Sequence, residues 1–376
     1  MDSLINLLSI IAGIFGIGFL IGFHELGHFL AAKAFGVRTP SFSIGFGPRI
    51  FSKKIGETQF TLSAIPMGGY VEMAGSQEVG QGEQADAHAI DQGSLAVKPY
   101  WQKMVIMIAG IAFNLLFAYG ALIALSFSGF TSSVYLYPFN ASTTVGHVNS
   151  ESPAQQAGIL PKDVITAINN KPVTTAHEII QTIVASPSTN LNITVVRNGS
   201  IEHIIAPVGE RTVLGGKEGF LGLEFERSLS HTRSFKDAVT TGIYIVNNFV
   251  YKTAQAFKNI ITARNTQSLS GPLMIIHQTA QDARKGWKDY LILLAIISIN
   301  LAVLNLIPLP IFDGGQMLIY SLEALTRRSL SDTMRFGISI ATWILVLGLF
   351  AYLSIKDINA LAGTYIKKMC AFIGWN

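Results

Sequence analysis

The sequence predicts an α-helical membrane protein with four transmembrane helices, a membrane-reentrant β-hairpin and an inserted extracytoplasmic domain of mixed α/β type. Three observations predict it. The 376-residue chain is 49% hydrophobic and only 13% charged, too apolar for a soluble domain. Four stretches with little or no charge, about 4–34, 104–128, Tyr290–Phe312 and Phe336–Ile355, are long enough to cross a hydrocarbon core at about 1.5 Å per residue. Between the second and third, residues 130–288 carry strand-like alternation and turn signals instead.

The first span, with its flanks residues 1–35, has no charged residue from Ser3 to Phe23 and ends in Gly22-Phe23-His24-Glu25-Leu26-Gly27-His28-Phe29. Its start has no basic leader region and no small-residue cleavage site, and the apolar run is too long for a signal peptide. Positions four apart share one helix face, so His24 and His28 can present imidazole nitrogens to a single Zn²⁺. Glu25 then sits beside the metal, where a carboxylate can take a proton from an attacking water. The plainer reading makes both histidines helix-end residues hydrogen-bonded near the interface. Ionisable groups in a spanning helix are nevertheless functional candidates by default.

The segment Lys33–Lys103 holds seven Lys or Arg, whereas the N-terminus has none, which by the positive-inside rule makes this loop cytoplasmic and the N-terminus exterior. Alternation at Phe42, Ile44 and Phe46, and again over Gln59–Ile65 after Lys-Lys-Ile-Gly-Glu-Thr, reads as a β-hairpin within a membrane-associated β element at 36–75. Gly68 and Gly69, before Tyr70, allow a tight bend or close backbone approach. Residues 76–94, rich in Gly, Gln and Asp, read as flexible surface within a cytoplasmic loop at 76–103.

The second span (104–129) returns the chain to the exterior. Val145–Val148, Ser152–Ile159 and Lys162–Asn169 give strand, short helix and strand in turn. Residues 130–230 thereby resemble a PDZ domain of the circularly permuted bacterial kind, with Gly219–Leu223 resembling the strand at its peptide groove. Such a groove implies a peptide or periplasmic segment as partner, bound by β-augmentation; a spacer that binds nothing has the same pattern. Ala238–Tyr251, with only fourteen uncharged residues before Lys252, reads as an amphipathic surface helix within 231–288.

The third span (289–315) closes with Asn305-Leu306-Ile307-Pro308-Leu309-Pro310-Ile311-Phe312-Asp313-Gly314-Gly315. Prolines and glycines here are expected to unwind the helix end, tolerable in lipid only where the freed backbone lines a polar cavity. Spans one and three run the same way, so Asp313 reaches the depth of His24 and completes a His, His, Asp set with a fourth position open. Asn305, eight residues earlier, is expected about two turns deeper, donating to a substrate carbonyl or, equally well, to a neighbouring helix. Residues 316–376 hold a second cytoplasmic loop, marked by Arg327, Arg328 and Arg335, the fourth span and a tail.

Together His24–His28, Asn305–Gly315, Ile65–Met73 and the PDZ-like insertion resemble the site-2 protease family, closest to its bacterial regulator of sigma-E proteases. The resemblance covers nearly the whole chain. It implies a zinc intramembrane metalloendopeptidase of the bacterial inner membrane, with His24, His28 and Asp313 as ligands to Zn²⁺, Glu25 as general base and Asn305 as a catalytic partner. It also implies substrate contacts at Gly68, Gly69, Tyr70, Pro308 and Pro310. The implied substrates are single-span membrane proteins, such as an anti-sigma factor after a first cut, or signal-peptide remnants. Gly110-Ile111 stands where the family usually has Gly-Pro before Asn114, Gln316 stands where some members have His, and one PDZ-like domain replaces the two of enterobacterial members. The rival readings are a metal-ion transporter using the same ligands and a membrane-anchored PDZ scaffold. The net charge of +4 is explained by topology-setting loop residues beside a lipid bilayer, with no basic run to suggest nucleic acid. The single cysteine, Cys370, excludes a disulfide framework.

Overall fold

The computed structural model describes residues 2–76, 90–129, 136–139, 141–213, 216–227, 234–263 and 271–373. Most of the stretch read as flexible surface, residues 77–89, lies outside them. In chain order the elements are α1 (Asp2–Ala34), β1 (Ser41–Ile55), β2 (Thr58–Glu72), α2 (Tyr100–Ser128), β3 (Ala141–Val148), α3 (Pro153–Gln156), β4 (Val164–Ile168), β5 (Lys171–Pro172), α4 (Ala176–Val184), β6 (Asn190–Arg197), β7 (Ser200–Pro207), β8 (Gly209–Val213), β9 (Gly216–Phe220), β10 (Leu223–Arg227), α5 (Phe235–Ala263), α6 (Pro272–Lys285), α7 (Trp287–Asn305), α8 (Asp313–Thr326) and α9 (Asp332–Ile373). The chain divides into two compact units, one of residues 1–122, 246–258 and 265–376, the other of residues 123–245 and 259–264.

Among the described residues four helices are long and apolar enough to cross a membrane: Leu7–Ala34, Tyr100–Ser128, Trp287–Asn305 and Thr333–Asn359. The protein is a multi-pass membrane protein. The third of these helices stops seven residues short of the predicted Phe312, because Pro308 and Pro310 offer no backbone N–H to continue it. Close helix contact in the first unit uses small residues: a Cβ added at Gly16 of α1 would lie 2.2 Å from Tyr290 Oη of α7. Tyr290 Oη instead donates to Ala12 O at 2.6 Å.

The β element is more folded than a simple hairpin. The predicted turn is present at Gly56-Glu57, and Phe51–Ile55 pair with Leu62–Thr58. β1 bends where Gly45 and Gly47 take φ of +88° and +84°, conformations that favour glycine. Ser41–Ile44 consequently lie between Gly69–Glu72 on one side and Gln59–Leu62 on the other. Phe29 of α1 meets Phe42 and Phe60 with ring centroids 5.6 and 5.5 Å apart, seating the sheet on the end of α1 that carries the histidines.

The region predicted as a membrane-surface amphipathic helix holds two helices. α5 is polar enough to fall outside the four candidate spans. α6 is packed rather than surface-lying: Thr279 and Asp282 are fully buried, and Gly13 of α1 faces Thr279 and Ala280. The Asp357 carboxylate of α9 caps it, accepting from Gly271 N at 3.0 Å and Met274 N at 2.9 Å.

In the second unit one sheet runs β10-β3-β4-β6-β7, with β5 paired to β4 and a separate β8-β9 hairpin. The predicted strand, short helix and strand are β3, α3 and β4. The stretch Gly219–Leu223, expected as one strand, is divided: Gly222, at φ +78°, turns the chain between β9, paired with β8, and β10, an edge strand on β3. α4 starts with a reciprocal cap between Thr175 and Glu178 and buries Ile179 and Ile183 against Val145, Ile165 and Ile193. Asp163, 1% exposed, accepts from Arg197 Nη2 at 2.6 Å and Leu160 N at 2.8 Å. Burial pushes its carboxyl up, but those donors outweigh burial and hold it below the usual carboxylate range. The pair therefore stabilises the fold above the unfolded carboxylate pKa of about 3.9, and that contribution is lost as pH falls through the lower folded value.

Candidate metal centre

Within the first unit α1 brings His24 and His28 to one face, one turn apart, with Nε2 atoms 3.1 Å from each other. Asp313 meets both: Oδ2 lies 3.3 Å from His24 Nε2, and Oδ1 lies 3.3 Å from His28 Nε2. All three side chains offer donor atoms within 4.8 Å of one another.

The expected route of Asp313 to the site needs correcting. It does not end the third span; it opens α8, after Leu306–Phe312 leave the helix in tight turns such as Leu309 N to Ile307 O at 2.8 Å and Phe312 N to Leu309 O at 2.8 Å. The glycines after it do not unwind a helix. They let the first turn of α8 lie on that linker, since a Cβ at Gly314 would sit 2.4 Å from Leu306 O and one at Gly315 2.1 Å from Leu309 O. Gln316 Nε2 closes the loop by donating to Pro310 O at 2.8 Å. The turn also overturns the depth expected for Asn305. Rise does not accumulate through a folded linker, so Asn305 is not two turns deeper; its Nδ2 lies 3.4 Å from His24 Nε2.

A cavity of about 370 Å³ opens onto the cluster. Glu25, Gly68, Gly69, Tyr70, Asn305, Pro310, Trp343 and both histidines are among its lining residues, and Pro308 is not. Glu25 touches β2: a Cβ at Gly69 would lie 3.3 Å from its Cγ. Among the described residues Gly69 and Tyr70 pair with Ile44 and Ser43 of β1 and with no other strand, and both line the cavity beside Glu25.

Two residues that the sequence analysis placed in the family pattern without assigning them a role complete the site. Asn114, fully buried on α2, places Nδ2 3.2 Å from His24 Nδ1, and Gly110 lies against both imidazoles. An amide inside an uncharged span was the available signal for Asn114. Gly110 gave none.

The donor set fits a divalent cation. His28 Nδ1 donates to Ile106 O at 2.8 Å, which leaves a lone pair on Nε2. Asn114 Oδ1 is buried without a partner. A half-turn of that carboxamide sets Oδ1 against Nδ1–H of His24, so both imidazoles share one tautomer and aim lone pairs at the same place. Two such lone pairs 3.1 Å apart, beside a buried carboxylate whose Oδ2 has no hydrogen bond, cannot satisfy one another. Zinc accepts this combination of imidazole nitrogen and carboxylate oxygen.

A model of peptidase family M50 matches residues 12–349, most of the chain and every residue of this centre. The chain belongs to peptidase family M50. Relatives of the M50 peptidase agree along their length. It is 28% identical over 369 residues to a protein of Brucella suis biovar 1, covering 94% of this chain and 95% of that one. A Synechocystis sp. protein is 29% identical over 358 residues, covering 94% of this chain and 95% of its own. A Campylobacter jejuni protein is 29% identical over 369 residues, covering 95% of each. All three carry the name "Putative zinc metalloprotease". Membership places the M50 peptidase among hydrolases rather than metal transporters or scaffolds. Asn114→Leu in this peptidase is expected to weaken metal affinity by about 10- to 100-fold, measured by chelator competition. Asn114→Asp, which can still accept from Nδ1–H, should recover most of it. Unaltered affinity in Asn114→Leu would remove the residue as an orienting partner.

Proposed function

We propose that this M50 peptidase is a zinc-dependent intramembrane endopeptidase that cuts transmembrane segments of single-span proteins, in the manner of the bacterial regulator of sigma-E proteases. The observation that carries the reading is the convergence of His24, His28 and Asp313 on one cavity that Glu25 also lines, with both histidines and Glu25 inside the candidate span Leu7–Ala34.

His24, His28 and Asp313 hold the metal. Zinc, when bound, polarises the scissile carbonyl and makes water nucleophilic near neutral pH. Glu25 takes the proton of the attacking water and returns it to the leaving amine. Asn305 Nδ2, beside His24, donates to the carbonyl oxygen as charge develops there. A substrate helix hides its carbonyls in its own hydrogen bonds and must first unwind. The edge of Gly69 and Tyr70 away from β1 would offer an unwound strand main-chain partners next to Glu25, with the β1-β2 sheet as a reentrant substrate-binding element. Pro310 lines the same cavity. The second unit would be a PDZ domain facing the exterior, with the groove strand at Gly219–Leu223 binding an extracytoplasmic peptide segment or the domain filtering substrates by size.

The test is cleavage of a model single-span protein by the purified full-length enzyme, with the cut mapped by mass spectrometry. A cut inside the apolar segment, abolished by a zinc chelator, is the expected result. A cut confined to soluble flanks sinks the intramembrane reading. Gly68→Val, whose Cβ would lie 1.8 Å from the Phe46 ring, rebuilds the cavity face of β2. It should slow cleavage at least about tenfold with zinc content unchanged; full activity would count against pairing at this edge.

A further inference from the structure

At one end of the helical unit, the start of α2, the end of α8 and the link into α9 enclose a pocket of about 280 Å³ that the peptidase site does not use. Lys103, Arg327 and Arg328 line it, with Tyr100, Tyr320 and Ser329. The single carboxylate in the lining, Glu323, is already engaged: Arg335 Nη2 donates to it, and Leu330 N donates at 2.8 Å. Lys103, Arg327 and Arg328 form no direct ion pair among the described residues, so the lining carries three cations against one carboxylate that is already bonded to Arg335.

Lys103 and the backbone that carries the two arginines are held in place. Lys103 Nζ donates to Ala96 O at 2.8 Å and lies 5.3 Å from the centroid of the Tyr320 ring. Arg327 ends α8 at φ 53°, a left-handed position where glycine is usual and an L side chain meets a steric penalty. Thr326 Oγ1, 2.7 Å from Leu322 O and 3.3 Å from Arg328 O, ties the following loop to the helix. A glycine would suit that backbone better, and the arginine supplies charge at the pocket instead.

Depth selects the ligand. Lys103 lies in the first turn of the candidate span Tyr100–Ser128, and Arg335 in the first turn of Thr333–Asn359. The pocket therefore sits level with span ends, where lipid headgroups lie. Tyr100 and Trp101 are exposed at that level, as interfacial aromatics are, and Leu318, Leu322 and Leu325 are exposed along α8.

We propose that this pocket binds the phosphate of an anionic phospholipid headgroup, with Arg327 and Arg328 as its charge partners. Guanidinium forks match phosphate oxygens, and a basic recess between spans favours an anionic headgroup over a zwitterionic one. The leucines of α8 would lie along the acyl chains.

The experiment titrates delipidated full-length protein in neutral detergent with phosphatidylglycerol and, separately, phosphatidylcholine of the same acyl composition. Native mass spectrometry reads retained lipid, and melting temperature reads stabilisation. Preferential retention of phosphatidylglycerol is expected, weakened about fivefold by each Arg→Gln change and roughly thirtyfold by R327Q/R328Q. Equal retention of the two lipids overturns the proposal. Inorganic phosphate tests the other source of the same chemistry: if millimolar phosphate reaches the same plateau and displaces the lipid, the lipid assignment falls. K53Q/K54Q, at exposed positions of β1 outside this pocket, should keep the preference, and an equal loss there would show diffuse attraction and overturn the site. Should the double variant fail to fold, R328Q alone gives the reading, and an unchanged preference in it is decisive against the proposal.

Discussion

Glu25→Gln is expected to lower cleavage by about 10²- to 10⁴-fold while leaving bound zinc unchanged. The side chain is not among the three that converge on the metal position, yet it lines the same cavity and follows His24 directly on α1. Glutamine keeps the shape that packs beside Gly69, so the sheet should stay seated. It cannot take a proton from water. The measurement pairs a gel assay on a single-span substrate with metal analysis of the same preparation. More than about a tenth of wild-type activity would exclude Glu25 as the principal proton acceptor. Loss of zinc in the variant would instead assign the carboxylate to metal binding.

Gly110→Ala should abolish zinc binding, and activity with it, in a protein that still folds. An added Cβ would lie 2.3 Å from His28 Nε2, 2.6 Å from His28 Cε1 and 2.7 Å from His24 Cε1, well inside van der Waals contact. The methyl group would occupy the space onto which the imidazoles converge. Helix propensity runs the other way, because alanine in a helix interior is favoured over glycine by about 1 kcal/mol. The change should therefore leave helix content and melting temperature near those of apo wild type. Gly120→Ala is the control on the same helix, where an added Cβ meets nothing within 4 Å. Wild-type zinc stoichiometry in Gly110→Ala would show that the rings have room to move, and that this close approach does not shape the centre.

The parts of the molecule that were legible in the sequence are those governed by local rules. Absence of charge over helical lengths marks the spans, and a four-residue spacing puts His24 and His28 on one face. Period-two alternation and a Gly-Glu turn mark the β element. The strand, helix and strand from Val145 onward follow the same kind of short-range chemistry. What escaped depends on contacts between distant segments. Counting residues along an assumed straight helix put Asn305 too deep, because the compact turn at Leu306–Phe312 is set by packing of Gly314 and Gly315 on carbonyls upstream. Asn114 and Gly110 matter only once α2 lies against α1. The double pairing of Ser41–Ile44 needs β2 to cross β1 twice, which alternation alone cannot distinguish from one crossing.

The seating of α8 on the linker before it has a bearing on how the third ligand is positioned. Asp313 owes its place to main-chain atoms touching main-chain atoms, with Gly314 and Gly315 as the facing surfaces. No rotamer change elsewhere can compensate for bulk added there. The carboxylate is thus indexed to the peptide backbone itself, like a jaw fixed to its frame, while the two imidazoles ride together on a separate helix as the opposing jaw.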